Sequence, residues 1–346
     1  MTVRISKPPI DLRSKLSELE RPIGLKGGEI MGAETTQEAR ELVSAGRKNL
    51  IINGGFEISQ RGDYSTNTPT GHNAYTIDRW KHLVQVVTAS TRRDLNQTIN
   101  GQLMNVWRME ATSTGTGRFG IRQYIEATST GRAPTAGKQA TLSVWMRSNN
   151  SNSGIYVYDY GIPGYPQSFA GHSGGGGWEK LSITFTSSTG SVTANGNGLE
   201  LNFACSTSSN GNVSITSGDY IEIAQPQLEV GKNATEFEHR NYGEELALCK
   251  RYYQRMGDTN TNEIVEGGYG TTGMAIYNSV QLPVEMRIVP TLTQVGSLYT
   301  DNVSQPTSLS GHIGRRGFAI ASTVTNAGTW VYATNTSAYF VLDAEL

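Results

Sequence analysis

The chain has 346 residues, only 17% of them charged, and its 29 basic and 30 acidic side chains give a net charge of -1. This balance excludes the overall positive field of non-specific nucleic-acid binding, and no stretch approaches the roughly 18 apolar residues of a membrane-spanning helix. We therefore expect neither nucleic-acid binding nor membrane insertion. The 40 glycines, together with many Ser, Thr and Asn residues, favour short strands joined by tight turns.

The first segment of the chain carries apolar residues that are too sparse to form a core of their own. They are Ile5, Pro8, Ile10, Leu12, Leu16 and Leu19. The three leucines are spaced i, i+4 and i+7 on one stripe of a short helix, which is marginal in water without a partner. Residues 1–48 are therefore predicted to be an extended anchor with short helices that docks on another protein or bundles copies of this chain. A disordered tail with incidental leucines is the alternative.

A turn-containing apolar segment runs from Asn49 to Gly62. Its apolar run is broken by Asn53-Gly54-Gly55, which is typical of an opening strand with a bend, because glycine adopts positive φ without a steric penalty. An ordinary hairpin is the alternative.

Strand patterns separated by polar turns then continue to about residue 243. Alternation is clearest in Leu142–Met146 and Leu181–Phe185, which predicts strands with one buried and one solvated face. About eight such strands predict an antiparallel jelly-roll sandwich over residues 49–243, with Trp178 packed inward. Cys205 and Cys249 are predicted to be two buried thiols and not a disulfide.

The last part of the chain combines a helix with further strands. Leu246, Leu248, Cys249 and the tyrosines that follow predict a helix over residues 244–256, and apolar runs after residue 273 predict a second, smaller β-domain. Residues 244–346 form the third predicted segment. The predicted fold class is thus mainly β: an antiparallel jelly-roll sandwich and a smaller C-terminal β-domain, preceded by an extended N-terminal anchor and short helix.

Several short blocks of this sequence resemble a series that is common in tail and tail-fibre proteins of tailed bacteriophages. They are Asn49–Gly62, Asp78-Arg79-Trp80, Ile223–Gly231, Cys249–Tyr253 and Tyr339–Leu346. The resemblance implies a virion protein of the tail, assembled in the host cytoplasm, with a jelly-roll domain similar to carbohydrate-binding modules and no catalytic activity of its own. We expect no cofactor.

Partners follow from the same resemblance. It implies a homotrimer whose N-terminus docks on another tail protein, an adaptor or a nozzle, while the β-domains attach to host surface polysaccharide. A purely structural virion protein without receptor binding, such as a decoration, baseplate or adaptor-bound component, is the alternative.

Patterns for catalysis or metal binding are sparse. The five histidines lack the spacing of a metal site. Sugar-binding jelly rolls similar to this sequence often hold calcium with a glutamate placed like Glu57, but the aspartate that would complete the site is missing from Ile223-Ala224-Gln225. A hydrogen bond or salt bridge is therefore favoured for Glu57. Glycoside hydrolysis needs two carboxyls about 5 to 10 Å apart, so a capsule-degrading enzyme stays a third hypothesis.

The candidate binding residues are tyrosines in and after one predicted strand. They are Tyr156, Tyr158, Tyr160 and Tyr165. In a strand, Ile155 and Val157 share one face and the first three tyrosines line the other. If the aliphatic face is the core, the rings point outward and can stack on a sugar or anchor an interface. The alternative is cross-strand packing of the tyrosines beneath a neighbouring loop or subunit.

Overall fold

The computed structural model describes residues 48–127, 134, 136–160, 168–188, 197–207, 211–257 and 262–345. A compact unit that begins at Asn49 holds all of the elements given below. The six predicted anchor residues between Ile5 and Leu19, and also Tyr165, lie outside the described residues.

Two antiparallel sheets form the body of this unit. The six-stranded sheet contains, in spatial order, β1 (Thr68–Thr70), β3 (Ala89–Ile99), β4 (Gln102–Ala111), β13 (Tyr220–Val230), β7 (Gln139–Ser148) and β10 (Trp178–Thr186). The five-stranded sheet contains β2 (Lys81–Val84), β6 (Phe119–Glu126), β11 (Asn197–Cys205), β8 (Ser153–Asp159) and β9 (Ser168–Gly171). A small ribbon pairs β5 (Gly115–Gly117) with β12 (Val213–Ile215).

The strand order confirms the predicted jelly roll. Strands β4-β13-β7-β10 lie in one sheet and β6-β11-β8-β9 in the other. Except for the neighbours β8 and β9, successive strands of this set cross between the sheets, which is the order of a jelly roll with two Greek keys. The core lies between the two sheets, and β7 and β10 contribute the residues that the alternation selects: Ala140, Leu142, Val144, Met146, Leu181, Ile183 and Phe185. Cys205 and Cys249 are buried and free, as predicted.

The opening segment 49–62 does not form the predicted strand. Asn53 adopts a positive φ of 58°, which a ladder does not accommodate. Its neighbouring backbone donors are bound by side chains instead: Ile52 N–H donates to Gln123 Oε1 at 2.9 Å, and Asn53 N–H donates to Glu245 Oε1 at 2.6 Å. The segment is therefore a buried turn held by side-chain acceptors.

The C-terminal β-domain consists of three three-stranded sheets. They are β14-β22-β17 (Tyr253–Met256, Tyr339–Asp343, Thr291–Val295), β15-β21-β18 (Glu263–Gly270, Gly328–Thr334, Tyr299–Asp301) and β16-β20-β19 (Ala275–Gln281, Gly317–Thr323, Thr307–Gly314). The inner faces of these sheets share one hydrophobic core, which includes Phe318, Ile320, Tyr332, Phe340 and Leu342.

A short helix, α1 (Tyr242–Lys250), precedes this domain, and its first turn is capped by the Asn241 side chain, which accepts from Glu244 N–H at 2.9 Å. The predicted helix over residues 244–256 is therefore too long, because Tyr253–Met256 pairs as β14 with β22. No helix within the described residues is long and apolar enough to cross a membrane.

Candidate functional site

The blocks that carry the bacteriophage resemblance meet in the structure. The Asn53 side-chain amide donates to the carbonyls of Ile58 at 2.8 Å and Asp78 at 3.0 Å, and the Trp80 indole N–H donates to the Asn53 carbonyl at 3.0 Å. The buried turn and the Asp78-Arg79-Trp80 block are thus one hydrogen-bonded unit.

Arg79 links this unit to the C-terminal β-domain. Its buried guanidinium forms an ion pair with Glu345, lies 3.5 Å from the centre of the Tyr252 ring, and donates to the Tyr124 carbonyl at 2.8 Å. Burial lowers the pKa of Arg79, but the Glu345 carboxylate together with Tyr252 and Tyr75 outweighs it, and the pKa is raised above its usual value. Arg79 therefore stays charged within the protein interior.

Arg61 makes a second, parallel connection. It pairs with Asp78 at 2.8 Å and with Glu345 at 3.3 Å, and its guanidinium lies 3.6 Å from the Tyr253 ring centre. Burial raises the pKa of Asp78 to about 6, with Arg61 acting in the opposite direction. We name Arg61, Asp78, Arg79 and Glu345 the junction cluster. These four side chains bind one another and connect the jelly roll to the C-terminal β-domain, so the cluster has a structural role.

The predicted tyrosine surface is only partly as expected. Ile155 and Val157 lie in the core and Tyr156 and Tyr158 on the opposite face of β8, but the exposed fractions of the two tyrosines are 0% and 5%. They pack edge to face at 5.6 Å, in a cluster that Phe169 of β9 joins. Rings buried in this way cannot stack on a sugar, so the alternative of cross-strand packing describes them.

Tyr160 stands apart from these two rings. It is partly exposed, and its hydroxyl donates to Glu200 at 2.5 Å. Glu200 in turn pairs with Arg122 at 2.9 Å. The Tyr160 hydroxyl thus belongs to a chain of polar contacts with Glu200 and Arg122 across the five-stranded sheet.

Glu57 is exposed. Among the described residues, no group of three or more His, Cys, Asp or Glu side chains could hold a metal ion. His82 is a buried histidine and, within the part of the chain that the structure describes, has no role in metal binding. Its two ring nitrogens bind the hydroxyls of Thr70 and Thr76, and burial lowers its pKa to about 3. This histidine is a neutral core residue.

The outer face of the six-stranded sheet presents Trp178, which was predicted to pack inward. Trp178 shares its side of β10 with the exposed Lys180, whereas Leu181 points into the core. The prediction that Trp178 packs inward is therefore wrong. Alternation counted back from Leu181 would have found this, because Trp178 is three residues away and so on the opposite face.

Four side chains make a compact block at this edge, and we name them the tryptophan face: Trp145, Arg147, Trp178 and Lys180. Trp178 pairs across the strands with Arg147, and Lys180 with Trp145. The Arg147 guanidinium lies 5.3 Å from the Trp178 ring centre.

The C-terminal β-domain also carries outward rings. The exposed fractions are 74% for Tyr269, 72% for Tyr277 and 47% for Tyr299. Tyr269 in β15 and Tyr299 in β18 flank the same strand, β21, opposite Thr329 and Ala333. From strand spacing and rise, the Cα atoms of these two tyrosines lie about 17 Å apart, and both side chains are on one face.

The fold and these surfaces define a jelly-roll protein with outward aromatic side chains on two domains. No protein-family model matches the chain, and no curated protein matches its sequence.

Several solved structures are distantly similar to about half of the chain. A Stig cyclase from Fischerella sp. TAU has a TM-score of 0.36 and 13% identity over 54% of this chain and 99% of that chain. A putative sugar binding protein from Bacteroides thetaiotaomicron has a TM-score of 0.34 and 9% identity over 53% of this chain and all of that chain, 100%. The enzymatically active domain of bacteriophage CBA120 tailspike protein 4 has a TM-score of 0.31 and 15% identity over 53% and 21% of the two chains. These are distant similarities of a β-sandwich.

Proposed function

We propose that this protein is a non-enzymatic tail fibre or tail appendage of a tailed bacteriophage that attaches to glycan on the host surface. The observation that carries the proposal is the pair of outward tyrosines on the C-terminal β-domain, Tyr269 and Tyr299. The bacteriophage resemblance of the sequence blocks supports the virion assignment.

The surface between these two tyrosines suits a sugar chain. Val331 and Asp301 lie between them on the same face. Gly267 pairs with Val331 on its other side and, having no side chain, leaves the surface beside Val331 open. The two tyrosine rings can stack on sugar rings, and Val331 provides an apolar surface between them. The Asp301 carboxylate can accept hydrogen bonds from sugar hydroxyls. The length of about 17 Å is that of a short oligosaccharide rather than of one sugar.

The buried carboxylates support a non-catalytic role. Each is bound by a cation or by a hydroxyl donor: Asp78, Glu126, Asp159, Glu200, Glu222, Glu229 and Glu245. A glycosidase needs a pair of carboxyls free to exchange protons and attack in a cleft. Carboxylates that complete ion pairs and hydrogen bonds in the interior do not provide this.

Attachment to the particle belongs to the N-terminal segment in this proposal. Its apolar stripe docks on an adaptor or nozzle protein of the tail, and three copies assemble in the host cytoplasm. Deletion of residues 1–28 should leave a folded protein that is missing from purified particles. Loss of folding on this deletion would contradict the anchor.

A second candidate function, a purely structural virion protein, is favoured by the outer face of β16-β20-β19. There Tyr277 and Ser279 pair with Ala321 and Ala319, which makes a surface of small, uncharged side chains that suits packing between subunits. Burial of this face in an assembled particle, without glycan binding by the chain, would select this second function.

A glycan array with the full-length protein separates the two. We expect binding that Tyr269→Ala and Tyr299→Ala each weaken at least about tenfold, as loss of a stacking ring does. Tyr277→Ala is the control and should bind normally, because Tyr277 is about as exposed as Tyr269 but lies on another sheet. A folded protein that binds no glycan would refute the proposal.

A further inference from the structure

The tryptophan face is a second aromatic surface, far in sequence from the tyrosines and on a different fold element. Its four side chains alternate as ring and cation on two adjacent strands, since Trp178 pairs with Arg147 and Lys180 with Trp145. Cross-strand neighbours have Cβ atoms about 5 Å apart. The two rings and the two cations therefore fit within the footprint of one disaccharide.

The two indoles are placed differently from the core tryptophans. Trp80 and Trp107 are fully buried between the sheets, whereas Trp145 and Trp178 pack on a buried patch that includes Ala224 and stay partly exposed. Each ring is thus supported by this patch and keeps part of its surface exposed, and the Arg147 guanidinium lies over the Trp178 ring, 5.3 Å from its centre. A ring held in this way loses little side-chain entropy when a flat ligand stacks on it.

The net charge of the block and of the groups beneath it is +1, because Arg108 and Arg147 balance Glu110 and Glu222 and Lys180 adds one positive charge. Glu222 lies beneath it, but this buried carboxylate is already neutralised by Arg108 at 2.5 Å and Arg147 at 2.5 Å. Glu110 is bound by Arg108 at 2.6 Å. Lys180 is exposed and takes part in no ion pair among the described residues. The surface therefore offers an ammonium group and the open part of a guanidinium to an anion.

The same side of β10 continues as a hydroxyl-bearing track. Ser182 and Thr184 follow Lys180 at two-residue intervals and are exposed. The Thr184 hydroxyl donates to the Lys232 carbonyl at 3.1 Å, so the Ser182 hydroxyl is the one that lies on the path next to the rings. A chain molecule with many hydroxyls can bind along this edge.

We infer that the tryptophan face binds an acidic polysaccharide, with sugar rings stacked on Trp145 and Trp178 and sugar carboxylates bound by Arg147 and Lys180. The inference rests on the proposed function in glycan attachment and deepens it by naming a second site and its ligand class. Ring stacking selects a sugar over a simple anion, and the two cations select an acidic sugar over a neutral one.

The test measures binding of tri-galacturonic acid, an oligosialic acid and neutral maltotriose to the full-length protein. We expect both acidic probes to bind at least tenfold more tightly than maltotriose. Lys180→Glu should weaken the acidic probes at least tenfold, whereas Arg316→Glu, the same charge change at an exposed site of the C-terminal domain, should not. Trp178→Ala should weaken binding of the acidic probes at least tenfold, because it removes a stacking ring, and Trp178→Phe should retain part of the affinity.

Acrylamide quenching of tryptophan fluorescence supplies a readout that a merely structural role would not move. The partly exposed indoles are Trp145 and Trp178, while Trp80, Trp107 and Trp330 are buried. An acidic probe bound at the tryptophan face should therefore protect the fluorescence from quenching, and maltotriose should not.

Two results would overturn the inference. One is equal affinity for acidic and neutral probes. The other is acidic binding that Lys180→Glu and Trp178→Ala leave unchanged in folded protein. Either result, combined with array binding that depends on Tyr269 and Tyr299, would remove this site and leave the proposed function standing. Absence of all glycan binding would remove both.

Discussion

Replacement of Glu345 by alanine tests whether the junction cluster holds the jelly roll and the C-terminal β-domain together. The Glu345 carboxylate binds Arg79 and Arg61, and its side chain is only 4% exposed. Without it, the Arg79 guanidinium stays in the interior with the Tyr252 ring and the Tyr124 carbonyl as its remaining contacts described above. A buried charge that loses its counter-charge is strongly destabilising.

The magnitude follows from burial. Breaking a buried ion pair by removing one partner costs about 3 to 5 kcal/mol, and because Tyr252 and Tyr124 continue to stabilise the cation, we expect the free energy of unfolding to fall by about 3 kcal/mol. Glu285→Ala is the matched control. It removes a carboxylate that also pairs with two arginines, Arg315 and Arg316, but at the surface, so the expected loss is below about 1 kcal/mol.

The assay is urea unfolding followed by tryptophan fluorescence, with the slope of the transition checked for each variant. The expected result is a clearly lower midpoint for Glu345→Ala and a midpoint near that of the unmodified protein for Glu285→Ala. Equal losses in the two variants would refute the claim that burial makes the junction cluster important for stability.

Three further predictions concern the interior of the jelly roll. Burial lowers the pKa of His82 from 6.5 to about 3. As the pH falls below 6.5, the unfolded state therefore takes up the proton before the folded state does. The free energy of unfolding should decrease by up to about 1.4 kcal/mol per pH unit. The difference in unfolding free energy between pH 7 and pH 5 should shrink in His82→Gln, and an unchanged difference would contradict this. Cys205 and Cys249 are buried, and burial raises both thiol pKa values, so a colorimetric thiol reagent should label neither in the native protein and both in urea. A Cβ atom at Gly120 would lie 2.3 Å from the Phe203 carbonyl oxygen, so Gly120→Ala should destabilise by roughly 2 kcal/mol or more in thermal unfolding, whereas Gly177→Ala, with open space around it, should not.

The sequence was sufficient to predict the strands in which apolar residues alternate with polar ones. Leu181–Phe185 alternates between buried and exposed residues as predicted, because one side of the strand faces the core. In Leu142–Met146 the apolar residues face the core as predicted, but the opposite face is not solvated throughout, since Ser143 is also buried. The helix was predicted too long because Tyr252 and Tyr253 look like helical apolar residues, although Tyr252 stacks on Arg79 and Tyr253 begins β14. Arg79 lies more than 170 positions before Tyr252, so this contact cannot be predicted from the local sequence around Tyr252.

The candidate site was predicted less well than the fold. Strand periodicity correctly assigned Tyr156 and Tyr158 to the face opposite the core, but it carries no information on whether a second layer covers that face, and here Phe169 packs on it. The buried turn at Asn53 was predicted as a strand because its apolar residues match one, while its true acceptors, Gln123 and Glu245, are distant in sequence. Sequence order alone does not show such side-chain acceptors.

Competition with bacteriophage adsorption tests the proposed attachment role most directly. Host cells are incubated with the full-length protein before particles are added, and unadsorbed particles are counted. If the C-terminal tyrosine surface attaches the tail to host glycan, the protein should block adsorption in a concentration-dependent way, and Tyr299→Ala should block it at least tenfold less well. A folded protein that leaves adsorption unchanged at every concentration would contradict the account.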